Sequence, residues 1–199
     1  MKKEQLKKFL KDYQWVIIGS IVLLIIVFIA EFAMDRLIFG TDGKFGLWEG
    51  DIWSSEQSQR LIDPYSFSHV LHGILFYLLL WLIFRKMDVK YRLLLAVLLE
   101  STWEIFENTP FLIERYRTVT ISLGYYGDSI INSMSDVVMM IIGFVIAQRS
   151  RVLIAVIVAI ALEVGMLLWV KDNLILNLIM LIYPIEAIKL WQSAGHIVP

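Results

Sequence analysis

Leu99-Glu100-Ser101-Thr102-Trp103-Glu104-Ile105-Phe106-Glu107-Asn108 and, after a short polar segment, Tyr125-Tyr126-Gly127-Asp128-Ser129-Ile130-Ile131-Asn132-Ser133-Met134-Ser135-Asp136 decide how this chain is read. Carboxylates and amides stand here inside runs that are otherwise apolar enough to cross a bilayer. Ionisable groups in such places are costly and mark functional sites.

Working outward, the whole chain is apolar. Of its 199 residues 58% are hydrophobic and 19% charged, against about 45–50% and about 25% in soluble domains, and the mean hydropathy is +0.69. The composition is that of an all-α, polytopic membrane protein forming a single membrane domain over residues 1–199, with no nucleic-acid-binding character. It has no cysteine, which excludes disulfides, thiolate metal sites and cysteine nucleophiles. Apolar runs predict six spans, at about 15–34, 65–84, 93–109, 128–148, 152–170 and 174–190. The last is short and contains Pro184, so five spans plus an interfacial helix is the alternative. The first run is too long for a signal-peptide core and lacks a cleavage motif, so it is expected to be retained.

Bases gather at Lys2, Lys3, Lys7, Lys8 and Lys11, at Arg85-Lys86 with Lys90 and Arg92, and at Arg149 with Arg151. The positive-inside rule places these on the cytoplasmic side, N-terminus included, and puts the acidic Phe39–Asp63 loop and the Phe111–Gly127 connection outside. Asp63-Pro64 predicts a helix start, with the acid as cap.

With that topology three helices carry their polar residues in the outer half of the membrane. The second begins with Ser66, Ser68, His69 and His72; the third ends with Glu100, Glu104, Glu107 and Asn108; the fourth begins with Asp128, Ser129, Asn132, Ser133 and Asp136. At about 100° per residue the three glutamates fall within a wedge of roughly 60°. Such faces are expected to point at one another rather than at lipid. Each residue also has a plainer role: Asp128 as a helix cap, serines as packing residues, Glu104 and Glu107 as partners of Arg115 or Arg117, and Glu31, Asp35 and Glu163 as structural partners or pore lining.

The segments Asp-Pro-Tyr-Ser-Phe-Ser-His-Val-Leu-His-Gly (63–73), Glu-Ser-Thr-Trp-Glu-Ile-Phe-Glu-Asn-Thr-Pro (100–110), Arg-Tyr-Arg (115–117) and Tyr-Tyr-Gly-Asp-Ser-Ile-Ile-Asn-Ser-Met-Ser-Asp (125–136) resemble a family of small bacterial inner-membrane proteins grouped as a domain of unknown function. That resemblance implies no activity. A more distant likeness is to VanZ-like membrane proteins, linked to glycopeptide tolerance, with His69 or His72, Glu104, Asp128 and Asn132 at the matching positions.

Three functional classes fit these residues. One is a periplasm-facing, membrane-embedded hydrolase or transferase of a lipid or lipid-linked, phosphate-bearing substrate. Here Glu100, Glu104, Glu107, His72 and Asp136 are the catalytic candidates, and His69, His72, Glu104 and Asp128 would hold a divalent ion, Zn²⁺ or Mg²⁺/Mn²⁺. Arg115, Arg117, Asn108, Tyr126, Ser129 and Asn132 would bind substrate, the arginines clamping a phosphate. The second class is a proton- or cation-coupled transporter using the same acids; the third is a non-catalytic protein that binds lipid headgroups.

Overall fold

Apolar runs bounded by capping residues set the helices. In the computed structural model, which describes residues 3–194, they are α1 (Lys3–Ala33), α2 (Ser66–Ile83), α3 (Val89–Glu107), α4 (Pro110–Val119), α5 (Ile130–Arg149), α6 (Val152–Val170), α7 (Leu174–Ile182) and α8 (Glu186–Ser193). The fold is all-helical, with one isolated bridge, Trp48 to Ile62, among the described residues. Leu10–Ala33 of α1, together with α2, α5 and α6, is long and apolar enough to cross a membrane. Large apolar side chains such as Trp15, Ile21, Ile29, Val152 and Leu168 stand exposed on α1 and α6, as lipid-facing residues do. Lys2 lies outside the described residues.

Local chemistry explains most helix ends. Asp88 accepts the Lys90 amide at the start of α3, and Ser129 accepts the Asn132 amide at the start of α5. Thr109 caps α4, with Pro110 in its first turn. The expected cap at Asp63 is displaced: the helix opens at Ser66, after Tyr65, and the Asp63 carboxylate accepts the Ser66 amide at 3.1 Å. α1 stops where Asp35 takes a left-handed backbone, φ 59.

α2 and α5 run parallel with their backbones in contact. A Cβ added to Gly73 would lie 1.9 Å from the Met140 carbonyl oxygen, and one added to Gly143 would lie 1.9 Å from that of Val70. Small residues that let backbones approach are the usual device for joining helices in lipid, where apolar surface supplies no driving force. Below this contact Leu80, Ala96, Val97, Val137, Met140 and Phe144 form a closed apolar cluster shared by α2, α3 and α5.

The structure corrects two expectations. Residues 174–190 are not one span: α7 and α8 are 9 and 8 residues long, separated at Tyr183-Pro184-Ile185. At 1.5 Å per residue each covers less than about 14 Å, against about 30 Å of hydrocarbon. Pro184 breaks the run, and Glu163 on α6 caps α7 by accepting the Leu174 amide at 3.1 Å, so Glu163 is structural. Second, the Phe111–Gly127 connection contains a helix, α4. Its Arg115 guanidinium donates two hydrogen bonds to the Leu181 carbonyl, at 2.9 and 2.8 Å, holding the end of α7. α3 has the length of a span, 19 residues, but Lys90, Arg92, Glu100, Glu104 and Glu107 set it apart from the four apolar helices. It packs into the bundle with Glu100 and Glu104 fully buried.

Candidate functional site

The polar ends of α2, α3 and α5 meet just above the Gly73–Gly143 contact. One turn of α2 presents both histidines to α3. His69 Nδ1 lies 2.6 Å from Glu100 Oε1, and His72 Nδ1 lies 3.0 Å from the same oxygen. On its other side His69 Nε2 is 3.7 Å from Asp136 Oδ2 on α5. The His72 ring stacks on Phe76 and meets Trp103 edge-on, so it stands in an apolar frame.

One α3 turn further out is a second group. Ligand oxygens of Glu104, Glu107 and Asp128 lie within 4.8 Å of one another, as do donor atoms of His69, His72 and Glu100. Asp128 is held by Tyr125, whose hydroxyl donates to Oδ1 at 3.0 Å, and by Asn108, whose Nδ2 donates to Oδ2 at 3.3 Å. Glu104 differs: it is fully buried and no hydrogen bond reaches either oxygen. His69 Nδ1 comes within 3.2 Å of it and lies closer, at 2.6 Å, to Glu100.

Asn108 ties these pieces together. Fully buried, it accepts the Asp128 amide at 2.8 Å and donates within reach of Glu31, Ser133 and Asp128. It is a structural hub and does not face the cavity. Gly127, at φ 100, makes this turn possible, because a Cβ there would strike Asn108 Oδ1 and Arg36 Nη1. Ser129 also faces away: its hydroxyl donates to the Gln59 carbonyl at 3.2 Å and pins the Phe39–Asp63 loop to α5. Asn132 lines the cavity and donates to the Arg60 carbonyl at 2.8 Å; Tyr126 lines it too, its hydroxyl donating to Ser55.

The cluster opens into a cavity of about 970 Å³. Its base holds His69, His72, Glu107, Asp128 and Asp136. One wall, on α2 and α3, is apolar: Leu75, Phe76, Leu98, Leu99, Trp103 and Phe106. The loops line the rest, with Ser54, Ser55, Gln57 and Tyr126 beside the apolar Ile52, Trp53, Ile121 and Leu123. Neither Arg115 nor Arg117 lines it, so the expected phosphate clamp is not formed. Arg115 is engaged at Leu181, and Arg117 is exposed.

Electrostatically the site is strongly acidic. Lys and Arg ion pairs of the described residues lie elsewhere, at Arg60 with Asp42 and Glu56 and at Lys90 with Asp88. Two like charges some 4.8 Å apart repel by about 3–4 kcal/mol at an effective dielectric of about 20. Burial pushes the Asp63 carboxyl above the usual carboxylate range.

Three participants escaped the sequence reading of the site. Glu31, assigned a structural or pore-lining role, is fully buried and reaches Asn108 at 3.4 Å. Asp63, read as a cap, also lines the cavity. Arg36 donates to the Tyr126 carbonyl. The signal at Glu31 was its interruption of the first apolar run; Arg36 had none.

A family model described as "Protein of unknown function (DUF2585)" matches residues 31–194. The chain belongs to this family. The matched DUF2585 region includes the entire cluster, from Glu31 to Asp136. Among similar proteins are a UPF0314 protein of Rhizobium etli, 47% identical over 176 residues (88% of this chain, 90% of the relative), and one of Paracoccus denitrificans, 48% identical over 154 residues (77% and 80%). Another, from Novosphingobium aromaticivorans, is 46% identical over 158 residues (77% and 80%). No solved structure matches. The DUF2585 assignment and the apolar helices make this a bacterial membrane protein of a family of unknown function; the likeness to VanZ-like proteins is not shown by these matches.

Within this DUF2585 site the donors suit a divalent ion. Two imidazoles and a carboxylate are the N, N, O set that suits Zn²⁺ and similar ions. The structure revises the expected grouping: Glu100 joins the histidines, whereas Glu104 and Asp128 group with Glu107.

Proposed function

We propose that this chain is a membrane-embedded hydrolase or transferase, facing the periplasm from the bacterial inner membrane, that acts on a lipid or lipid-linked substrate. The observation that carries this reading is the cavity, whose His and carboxylate groups lie beside an apolar wall of α2 and α3 and a mixed polar and apolar lining of loops. From Glu107 to Leu98 the apolar wall descends about 14 Å along α3, roughly half of the ~30 Å hydrocarbon core. An acyl or prenyl chain of one leaflet fits such a wall, while its headgroup meets the polar base.

His69, His72 and Glu100 would hold a divalent ion. When bound, such an ion supplies positive charge for a headgroup and lowers the pKa of a water. With Arg115 engaged at Leu181 and Arg117 exposed away from the cavity, an anionic or phosphate-bearing headgroup would depend on that charge to enter so acidic a base. Asp136, which lines the cavity and has an unpartnered buried oxygen, is the group available to take a proton from a nucleophile. Asn132 and Tyr126, on the cavity surface, would position the headgroup. The basic turns at Arg85-Lys86 and Arg149-Ser150-Arg151 support a cytoplasmic inner end and hence a periplasmic mouth.

Transport ranks second. A through-path needs polar groups on both sides of the site, and the apolar cluster around Val97, Met140 and Phe144 beneath it supports a pocket closed from below.

The test is to incubate purified, metal-replete protein with a bacterial total-lipid extract and follow the lipids by mass spectrometry. One lipid class is expected to be converted by the natural chain and by Arg117→Ala, with conversion reduced at least about a hundredfold in His72→Ala and Glu100→Gln. Lipids that stay unchanged, or conversion that survives both cluster substitutions, would overturn the reading.

A further inference from the structure

We propose that the site binds a second cation, distinct from the one at the histidines: a hard divalent ion such as Mn²⁺ or Mg²⁺, held by Glu104, Glu107 and Asp128. The three offer an all-oxygen set within 4.8 Å of one another, and oxygen donors select hard ions where imidazoles select Zn²⁺ and its neighbours.

Their surroundings are those of metal ligands. Asp128 is oriented from behind by Tyr125 and Asn108. Carboxylate ligands are held in this way by partners that fix their direction. Glu104 is fully buried, and both of its oxygens lack a hydrogen-bond partner. Unpartnered buried polar atoms are rare in native structures and ask for an explanation such as an ion. Among the described residues no lysine or arginine forms an ion pair with any of the three. Glu107 and Asp128 line the cavity, which gives an ion an entry path.

His69 links the two positions, lying 2.6 Å from Glu100 and 3.2 Å from Glu104. Two unlike ions would therefore sit side by side across His69, one from the N, N, O set and one from the three carboxylates. The inference concerns ion binding and does not depend on the enzymatic reading.

The experiment is Mn²⁺ titration of the full chain in detergent, followed by electron paramagnetic resonance, with one equivalent of Zn²⁺ present to occupy the histidines. About one Mn²⁺ per chain should be immobilised. Glu107→Gln and Asp128→Asn should each weaken Mn²⁺ binding at least about tenfold, as even loss of a ligand's supporting partner does. His72→Ala should keep Mn²⁺ and lose Zn²⁺. Size-exclusion elution and helical circular dichroism identify variants that fold, and a variant that fails to fold is replaced by Glu104→Gln, for which the same loss is expected. No immobilised Mn²⁺ in the natural chain, or Mn²⁺ retained in the folded carboxylate variants, would overturn the proposal. If Mn²⁺ binds as described but no lipid is converted, the second site stands and the enzymatic reading falls.

Discussion

The polar and apolar halves of the α2, α3 and α5 bundle are built from the same three helices on opposite principles. In the apolar half, contact extends to backbone against backbone at Gly73 and Gly143. In the polar half the helices meet through His69, His72, Glu100, Glu104 and Asp136, next to a cavity of about 970 Å³. Stability is therefore concentrated in one half, which lets the other hold like charges that would otherwise push the helices apart. Polar clusters of this kind persist only where the surrounding structure over-determines them.

If that division holds, the largest loss should come from the apolar half. Gly143→Leu forces a side chain into the Val70 carbonyl and should unfold the chain in detergent, a loss beyond the ~1–3 kcal/mol usual for overpacking; thermal denaturation monitored by circular dichroism would show it. Phe144→Ala, which empties a fully buried position in the apolar cluster, should cost about 3–5 kcal/mol, read by the same assay. Persistence of a natural midpoint in both would break the comparison.

A smaller effect is expected at the periphery of the bundle. Asp172, between α6 and α7, accepts hydrogen bonds from Tyr65 and Gln192, and burial still pushes its carboxyl up to about 6. Because the folded value exceeds the unfolded one of 3.8, the folded chain binds this proton more tightly. Its favourable contribution is therefore present at low pH and is lost as pH rises from about 4 through about 6, by at most about 3 kcal/mol. Asp172→Asn should flatten the fall in thermal midpoint between pH 4.5 and 6.5; an unchanged slope would remove Asp172 from the account. A change of opposite sign should come from Glu104→Gln, which removes a buried carboxyl whose oxygens have no hydrogen-bond partner. It should raise the midpoint of metal-free protein and abolish the stabilisation that added Mn²⁺ gives the natural chain.

The convergence of the polar helix ends was legible because charge is rare in apolar sequence and topology assigns it a side, which is enough to bring His69, His72, Glu100, Glu104, Asp128 and Asp136 together. Which carboxylate meets the histidines was not, since a 60° wedge on one helix does not say how deep the facing helix sits. The roles of Asn108 and Ser129 were missed for a related reason. Both point at loop backbone, and loop paths leave no periodic trace in sequence. Arg115 read as a headgroup clamp because an interfacial arginine has many partners to choose from; its actual partner, the Leu181 carbonyl, exists only because Pro184 breaks the last apolar run into α7 and α8.

The central claim is that the buried histidine and carboxylate cluster is a divalent-cation site. It is tested most directly by elemental analysis of protein purified without added metal. The account predicts about one divalent transition-metal ion per chain, lost in His72→Ala and in Glu100→Gln while both remain folded. A folded natural chain that carries no such ion and takes none up from micromolar Zn²⁺ would contradict it.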